Sequence, residues 1–332
     1  MATSTPNDII LFHYPFSPYA RRIAWYLTLR NIPYKQSLQP PYLPRPLLTS
    51  LGISYRRIPL LSIGRDIYCD TRLIISALER FIPASASHPS ITPPSSVPYA
   101  TLLSSFTIDG GVFARSAQLI PPELPLLNDA RFTKDREDFM GRSWAKENII
   151  RARPEAIAHM RRIWDAYEAV LGDGRTWVAG TEGVTLADIE GVWPLVWLGE
   201  IGALGEDWFA KGTYPKTRAW VERFKGEMKE REGKVKVAKI KEEEVFKVVT
   251  GGAVAATKVV KDPVALKEGD EVEVWPIDTG FNHKDRGRLV GLDKEEVVIA
   301  VKTKKDPSKE VRVHAPRWGF RIAKVGEGKA KL

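Results

Sequence analysis

The sequence predicts a multidomain chain: an α/β layer first, an all-helical domain second and a small β-barrel last. Three observations predict it. Over residues 9–27 an apolar run ends at a turn carrying Pro15 and gives way to Tyr19, Ile23, Tyr26 and Leu27 at helical spacing. From residue 99 to 224 the helical period dominates. Beyond residue 270 the apolar runs become short and alternating, as strands do.

The first run reads as strand, loop, helix. Ser17-Pro18 is a helix start, because a serine oxygen accepts an orphan amide and a proline at the first helical position gives up no hydrogen bond. A hydroxyl and a set of unpaired amides therefore meet at the strand-helix junction, where an anion is favoured. Residues 33–37 read as a second strand, and Pro40, Pro41, Pro44 and Pro46 make the connection after it irregular. Residues 57–63 and Ile67-Tyr68, parted by Gly64-Arg65-Asp66, read as a hairpin. From Asp70 onward Leu73, Ile74, Ala77, Leu78 and Phe81 repeat at helical spacing until Pro83. Strand-helix-strand followed by hairpin-helix is the order of a thioredoxin-like layer. In such a layer Pro59, beside the start of the first helix, is expected to be cis.

Residues 83–98 are rich in proline and serine and read as a linker. Helices are expected over about 99–119, 135–150 and 155–171, with Pro154 dividing the last two. Thr185-Leu186-Ala187-Asp188 has the spacing of a capping box, with Val184 placed to staple onto the helix that follows. Tyr214-Pro215 starts another helix, continuing into a charged tract that ends near Lys247. Short runs at 271–275, 287–292, 297–301, 310–313 and 318–322 predict a small SH3-like β-barrel. The expected units are 7–83, a linker 84–98, a helical domain 99–247, a second linker 248–262 and the barrel 263–326.

Composition narrows the function classes. With 43% hydrophobic and 27% charged residues the chain reads as an ordinary globular protein. The net charge of +9 is interspersed, which reads as a basic surface more readily than as a nucleic-acid site. A single cysteine, Cys69, excludes an internal disulfide and Cys-rich metal sites, and it suits a reducing, cytoplasmic compartment. The opening Met-Ala-Thr-Ser-Thr-Pro-Asn-Asp lacks the pattern of a secretory signal. The apolar window 245–260 is short and interrupted by Lys247 and Lys258, so no membrane span is expected. The five histidines, His13, His88, His159, His283 and His314, show no paired ligand spacing, so no metal is expected, and no phosphate loop or dinucleotide fingerprint is present.

Ser17-Pro18-Tyr19-Ala20-Arg21, Ile58-Pro59-Leu60-Leu61, Asp70-Thr71-Arg72, Thr185-Leu186-Ala187-Asp188 and Tyr214-Pro215 with Trp220 occur in this order. In this constellation residues 9–224 resemble the cytosolic glutathione S-transferase superfamily, serine type. The resemblance implies glutathione as cosubstrate, a small electrophile as second substrate, and a homodimer. It implies that Ser17 is the catalytic hydroxyl, that the Ile58 backbone pairs with the cysteinyl part, that Pro59 is the cis-proline, and that Asp70 and Thr71 hold the γ-glutamyl end. That division suits the peptide: its main chain pairs with an open strand, and its charged end meets a carboxylate, a hydroxyl and helix amides. Taken alone, Ser17 would be an ordinary helix cap.

Other residues carry two readings. Tyr14 and Tyr19 are alternative thiol donors, and Arg56 or Arg57 an alternative partner of the glycyl carboxylate. Phe113, Trp144, Trp193 and Trp197 line an electrophile pocket or fill the core. Cys69 reads as a buried apolar residue, and without a cysteine at the Ser17 position a mixed-disulfide mechanism is not expected. The alternative function is a noncatalytic interaction or scaffold protein. There residues 285–292 resemble the small barrels of ribosome-associated or chromatin-reader proteins, and Lys302, Lys304, Lys305 and Lys309 form a basic hairpin for a partner or nucleic acid.

Overall fold

A computed structural model describes residues 8–210 and 212–326. Residue 7, the expected start of the first unit, and the N-terminal residues read as lacking a signal lie outside them. Strand β1 (Ile9–His13) is followed by helix α1 (Pro18–Leu29) and by β2 (Tyr34–Leu38), which pairs parallel to β1. The proline-rich connection is irregular as far as a short helix α2 (Pro46–Ser50). The hairpin of β3 (Leu60–Ile63) and β4 (Asp66–Cys69) adds antiparallel to β1, and α3 (Thr71–Phe81) completes a thioredoxin-like layer. The Ile58–Pro59 bond is cis, as expected, and so is Leu43–Pro44.

β1, β3 and β4 are buried on both faces, and their alternation divides two cores. Ile9, Leu11, Leu61, Ile63 and Tyr68 face α1, α3 and the helical domain. Ile10, Phe12, Leu60, Ile67 and Cys69 face a second core shared with the C-terminal strands. A slip of one residue in register would exchange the two sets.

The helical domain contains α4 (Val97–Ile108), α5 (Val112–Ala117), α6 (Ala130–Met140), α7 (Lys146–Val170), α8 (Leu186–Glu200), the short α9 (Glu206–Phe209) and α10 (Pro215–Glu230). Its boundaries differ from the expected ones for physical reasons. The helix expected over 99–119 breaks at Gly110-Gly111, where Gly111 takes a left-handed φ of 82°. The helix expected over 135–150 ends at Gly141, another left-handed cap. Pro154 does not divide a helix, because it lies inside the 25-residue α7. An interior proline costs about 3 kcal/mol, and burial of Ile149, Ala156, Met160 and Trp164 on either side of it outweighs that cost.

The capping box forms. The Thr185 amide donates to Asp188 Oδ2 at 2.9 Å, while the Val178 amide and Trp220 Nε1 each donate to Oδ1 at 2.9 Å. One buried carboxylate thus ties the start of α8 to α10 and to the preceding loop. The Pro/Ser-rich segment is irregular but pinned, with Ile91 buried and its carbonyl accepting from the Leu186 amide.

Past α10 the chain returns to the sheet. The stretch attached by sequence to the helical domain contributes β5 (Val237–Lys239), parallel to β2, and α11 (Glu242–Gly251), whose Val245, Phe246 and Val249 enter the second core. The C-terminal strands are β6 (Glu271–Pro276), β7 (Asp285–Leu292), β8 (Glu296–Lys302), β9 (Glu310–Pro316) and β10 (Phe320–Lys324). β6 to β9 form an antiparallel meander and β10 returns to β6. Beyond what the sequence suggested, this region is fused to the first layer. β9 pairs parallel with β4, Ile67 opposite Val313, making one ten-stranded sheet of order β10-β6-β7-β8-β9-β4-β3-β1-β2-β5. An open β4 edge would leave amides and carbonyls unpaired, and β9 covers it. Among the described residues no helix is long and apolar enough to cross a membrane.

Candidate active site

A cavity of about 340 Å³ opens between the thioredoxin-like layer and the helical domain. All five residues singled out in the sequence line it: Ser17, Ile58, Pro59, Asp70 and Thr71. They arrive from three places in the fold. Ser17 is the N-cap of α1, Ile58-Pro59 precede β3, and Asp70 is the N-cap of α3 with Thr71 as its first residue.

The hydrogen bonding fixes what each group has left to offer. Ser17 is 2% exposed, and its Oγ accepts from the Ala20 amide at 3.2 Å. An accepting hydroxyl still has its proton to donate. Thr71 is in the same condition, its Oγ1 accepting from the buried guanidinium of Arg22. That guanidinium also pairs with Glu190 of α8, so one arginine ties both sides of the cleft together behind Thr71. Burial pushes the Glu190 carboxyl up, against the attraction of Arg22. Asp70 adopts φ 67°, and its Oδ1 accepts from the amide of Arg72 at 3.0 Å. No hydrogen bond among the described residues uses Asp70 Oδ2 or the amide and carbonyl of Ile58. An open carboxylate oxygen and an unpaired peptide group therefore border the cavity.

The tyrosine alternatives separate. Burial raises the Tyr19 phenol far above its ordinary range, more than the charge of Arg22 lowers it, and its ring packs against Phe113 and Trp193. Tyr14 lines the cavity with its ring against Phe16 at 4.7 Å. Neither arginine proposed for a glycyl carboxylate is unengaged. Arg56 pairs with Asp135 at 2.6 Å and lies over the Phe139 ring. Arg57 pairs with Asp278 and donates from Nε to the Thr279 carbonyl at 3.0 Å. Burial works against the Arg57 charge, and Tyr55, Asp278 and Asp70 outweigh it, so its value is raised. Cys69 is buried in the second core, and burial pushes its thiol well up.

The far end of the cavity is apolar. Phe113, Trp144 and Trp197 line it, with Met140, Phe132 and Leu127. Trp193 does not; it is buried between Tyr19, Phe113 and Arg22. Sequence reasoning missed Arg45, Arg136, Asp278 and Thr279, which also line the cavity. Arg45 is lowered to about 10, by burial first, and donates to the carbonyls of Pro40 and Arg56. A lone arginine among prolines was the only signal for it. Asp278 and Thr279 gave none, since they sit in a strand-to-strand loop some 220 residues from Arg57.

Residues 11–85 match the family model of the glutathione S-transferase N-terminal domain, and residues 115–232 match a domain of unknown function, DUF7962. No curated protein matches the sequence. Among solved structures, a GST-like protein from Pseudomonas syringae is similar over 96% of this chain and 99% of its own, at 23% identity and a TM-score of 0.68. A glutathione S-transferase from Sinorhizobium meliloti is similar over 66% of this chain and 88% of its own, at 18% identity and a TM-score of 0.50. A rice glutathione S-transferase solved in complex with glutathione is similar over 73% of this chain and 96% of its own, at 17% identity and a TM-score of 0.50. The chain carries a glutathione S-transferase N-terminal domain and has the glutathione S-transferase fold, extended by a C-terminal β region.

Proposed function

We propose that this protein is a glutathione transferase that holds the cosubstrate as a thiolate and brings a small apolar electrophile to it. The observation that carries the reading is the hydrogen bond from the Ala20 amide to Ser17 Oγ at the cavity wall, which leaves the serine proton to donate. A free thiol has a pKa of about 8.5, and a hydroxyl donor to the anion contributes about 1.5–3 kcal/mol, enough to lower it by about 1 to 2 units. The first-turn amides of α1 add to that. The sulfur supplies the nucleophile, so the enzyme's remaining task is to hold the electrophile beside it.

On this reading Ile58 pairs with the cysteinyl main chain, Pro59 shapes that corner, and Asp70 and Thr71 receive the γ-glutamyl end. The unit 7–83 carries the peptide end of the site and the unit 99–247 the electrophile end, where Phe113, Trp144 and Trp197 stand. A role in detoxification follows from an apolar acceptor lobe. A cytoplasmic location fits the one, buried, cysteine. A homodimer would cover the exposed apolar stripe of α4, Tyr99, Leu102 and Phe106. The SH3-like description of β6 to β10 belongs to the same proposal.

The scaffold reading is not favoured by the basic hairpin. The Lys304 and Lys305 amides donate to the Ser50 carbonyl, and the Lys305 and Lys309 ammonium groups lie over the Phe246 ring at 4.9 and 5.7 Å, so this hairpin is docked on the protein itself. Calorimetric titration of glutathione into the full chain, followed by a panel of electrophiles, tests the proposal. Saturable binding and conjugation are expected. Absence of glutathione binding would reject it.

A further inference from the structure

The C-terminal region contributes to the cavity through the loop between β6 and β7, residues 277–284. That loop is held on three sides. Arg57 grips Asp278 and the Thr279 carbonyl, the Gly280 amide donates to the Phe139 carbonyl at 2.8 Å, and His283 Nε2 meets Asp138 Oδ2 at 2.7 Å. It therefore straps the first layer to α6 across one end of the site. Asp278 is preorganised by these anchors, yet its side chain is 59% exposed, and among the described residues no hydrogen bond uses its Oδ2.

Arg57 pairs with Asp278, while Arg72 is shared between Asp70 and Asp109. Asp70 and Asp278 line the same cavity, Asp278 from the β6–β7 loop and Asp70 from the start of α3. Each of these two carboxylates has one committed oxygen and one uncommitted. The chemical complement of such a seat is a cation with several donors, and a primary ammonium has three.

We propose that Asp278, from the C-terminal region, joins Asp70 in holding the α-ammonium of the γ-glutamyl end of the bound thiol peptide. This rests on the glutathione reading above and extends it: the added β region completes the peptide site and determines its preference for a zwitterionic end. Arg57 keeps the carboxylate in place, and Thr71 with the first amides of α3 faces the neighbouring α-carboxylate.

The test is calorimetry on the full chain with two peptides, glutathione and its deamino analogue, in which a glutaryl group replaces γ-glutamyl. Asp278→Asn keeps an oxygen for Arg57, so the strap stays closed while the charge is lost. The expected result is glutathione affinity about tenfold weaker, equal to about 1.4 kcal/mol, with affinity for the deamino analogue unchanged. Equal weakening of both peptides would reduce Asp278 to a wall of the cavity and overturn the proposal. So would unchanged affinity for both, or tighter glutathione binding, which would mean that Asp278 competes with the ligand for Arg57. Wild-type protein that binds neither peptide would overturn the glutathione reading as well, whereas any of the preceding results leaves that reading standing.

Discussion

The thioredoxin-like layer meets its two neighbours through two buried charged junctions, and they are balanced in opposite senses. On the helical side Arg22 pairs with Glu190, both almost fully buried, and burial wins: the Glu190 carboxyl is pushed up in spite of its partner. On the C-terminal side His314 is 0% exposed, stands between Asp66 Oδ1 at 2.9 Å and Glu296 Oε2 at 2.8 Å, and packs at a tilt against the Tyr68 ring. There pairing wins. Burial lowers the imidazole, but Asp66 and Glu296 together hold it above its ordinary value, and Glu296 is held down by His314 and Arg80 against its own burial. The difference teaches what each junction is for. The first gains little stability from its charges but aims a hydroxyl into the cavity through Thr71; the second touches no group of the cavity and binds the β region to the sheet.

The comparison breaks most visibly if Arg22 is removed. Arg22→Met leaves Glu190 buried and alone, and about 3–5 kcal/mol of stability should be lost in urea unfolding. Adding Glu190→Met should restore most of that stability, because the burial penalty of both charges disappears together. Glutathione affinity should stay low in the double variant, since Thr71 has lost its donor. Recovery of both stability and affinity would show that the pair is merely structural.

A smaller effect sharpens the other half. His314→Gln should lower stability by about 1–3 kcal/mol near neutral pH without altering glutathione affinity. The sign with pH follows from the direction of each shift. A raised histidine contributes stability that is full below its ordinary value of 6.5 and is lost as pH rises through the raised value. The lowered Glu296 contributes above its ordinary value of 4.5 and is lost as pH falls through the lowered one. Melting temperature should therefore fall on the alkaline side in wild type, and that fall should be absent in His314→Gln. A parallel decline in both proteins would remove His314 from the account.

The smallest effect concerns Asp285, at the other contact of the β region. It is buried, accepts from the Tyr55 amide at 3.2 Å and from the Ser54 amide, and burial raises it to about 6. Above that pH the fold carries a charge it would shed. Asp285→Asn keeps an oxygen for both amides and should raise stability by about 1 kcal/mol at pH 8, read as a higher urea midpoint. An equal gain at pH 5 would mean that ionisation is not the cause.

Much of this was legible in the chain because local chemistry wrote it there. The Ser17-Pro18 start, the Thr185-Asp188 box and the apolar run of β1 need only neighbouring residues to be read. The helix limits around Gly111, Gly141 and Pro154 were less legible, because packing decides whether a glycine or proline interrupts a helix. The β4–β9 pairing and the Arg57–Asp278 contact were not legible at all. They join residues more than 200 positions apart, and no periodicity records such a meeting. Ser17 stood out as a helix start, and Ile58, Pro59, Asp70 and Thr71 through the resemblance of their motifs to the transferase family; all five line one cavity. Trp193 kept two readings, pocket or core, because an aromatic residue at helical spacing gives no sign of which neighbour its face will meet; it is core.

The central claim is that the Ser17 hydroxyl, presented at the mouth of α1, keeps a bound thiol ionised. Ultraviolet titration of glutathione bound to wild type and to Ser17→Ala measures this directly. In wild type the thiolate absorbance should appear at a pH about 1 to 2 units below the free value of about 8.5, and in Ser17→Ala most of that shift should vanish. An identical titration in the two proteins would contradict the claim.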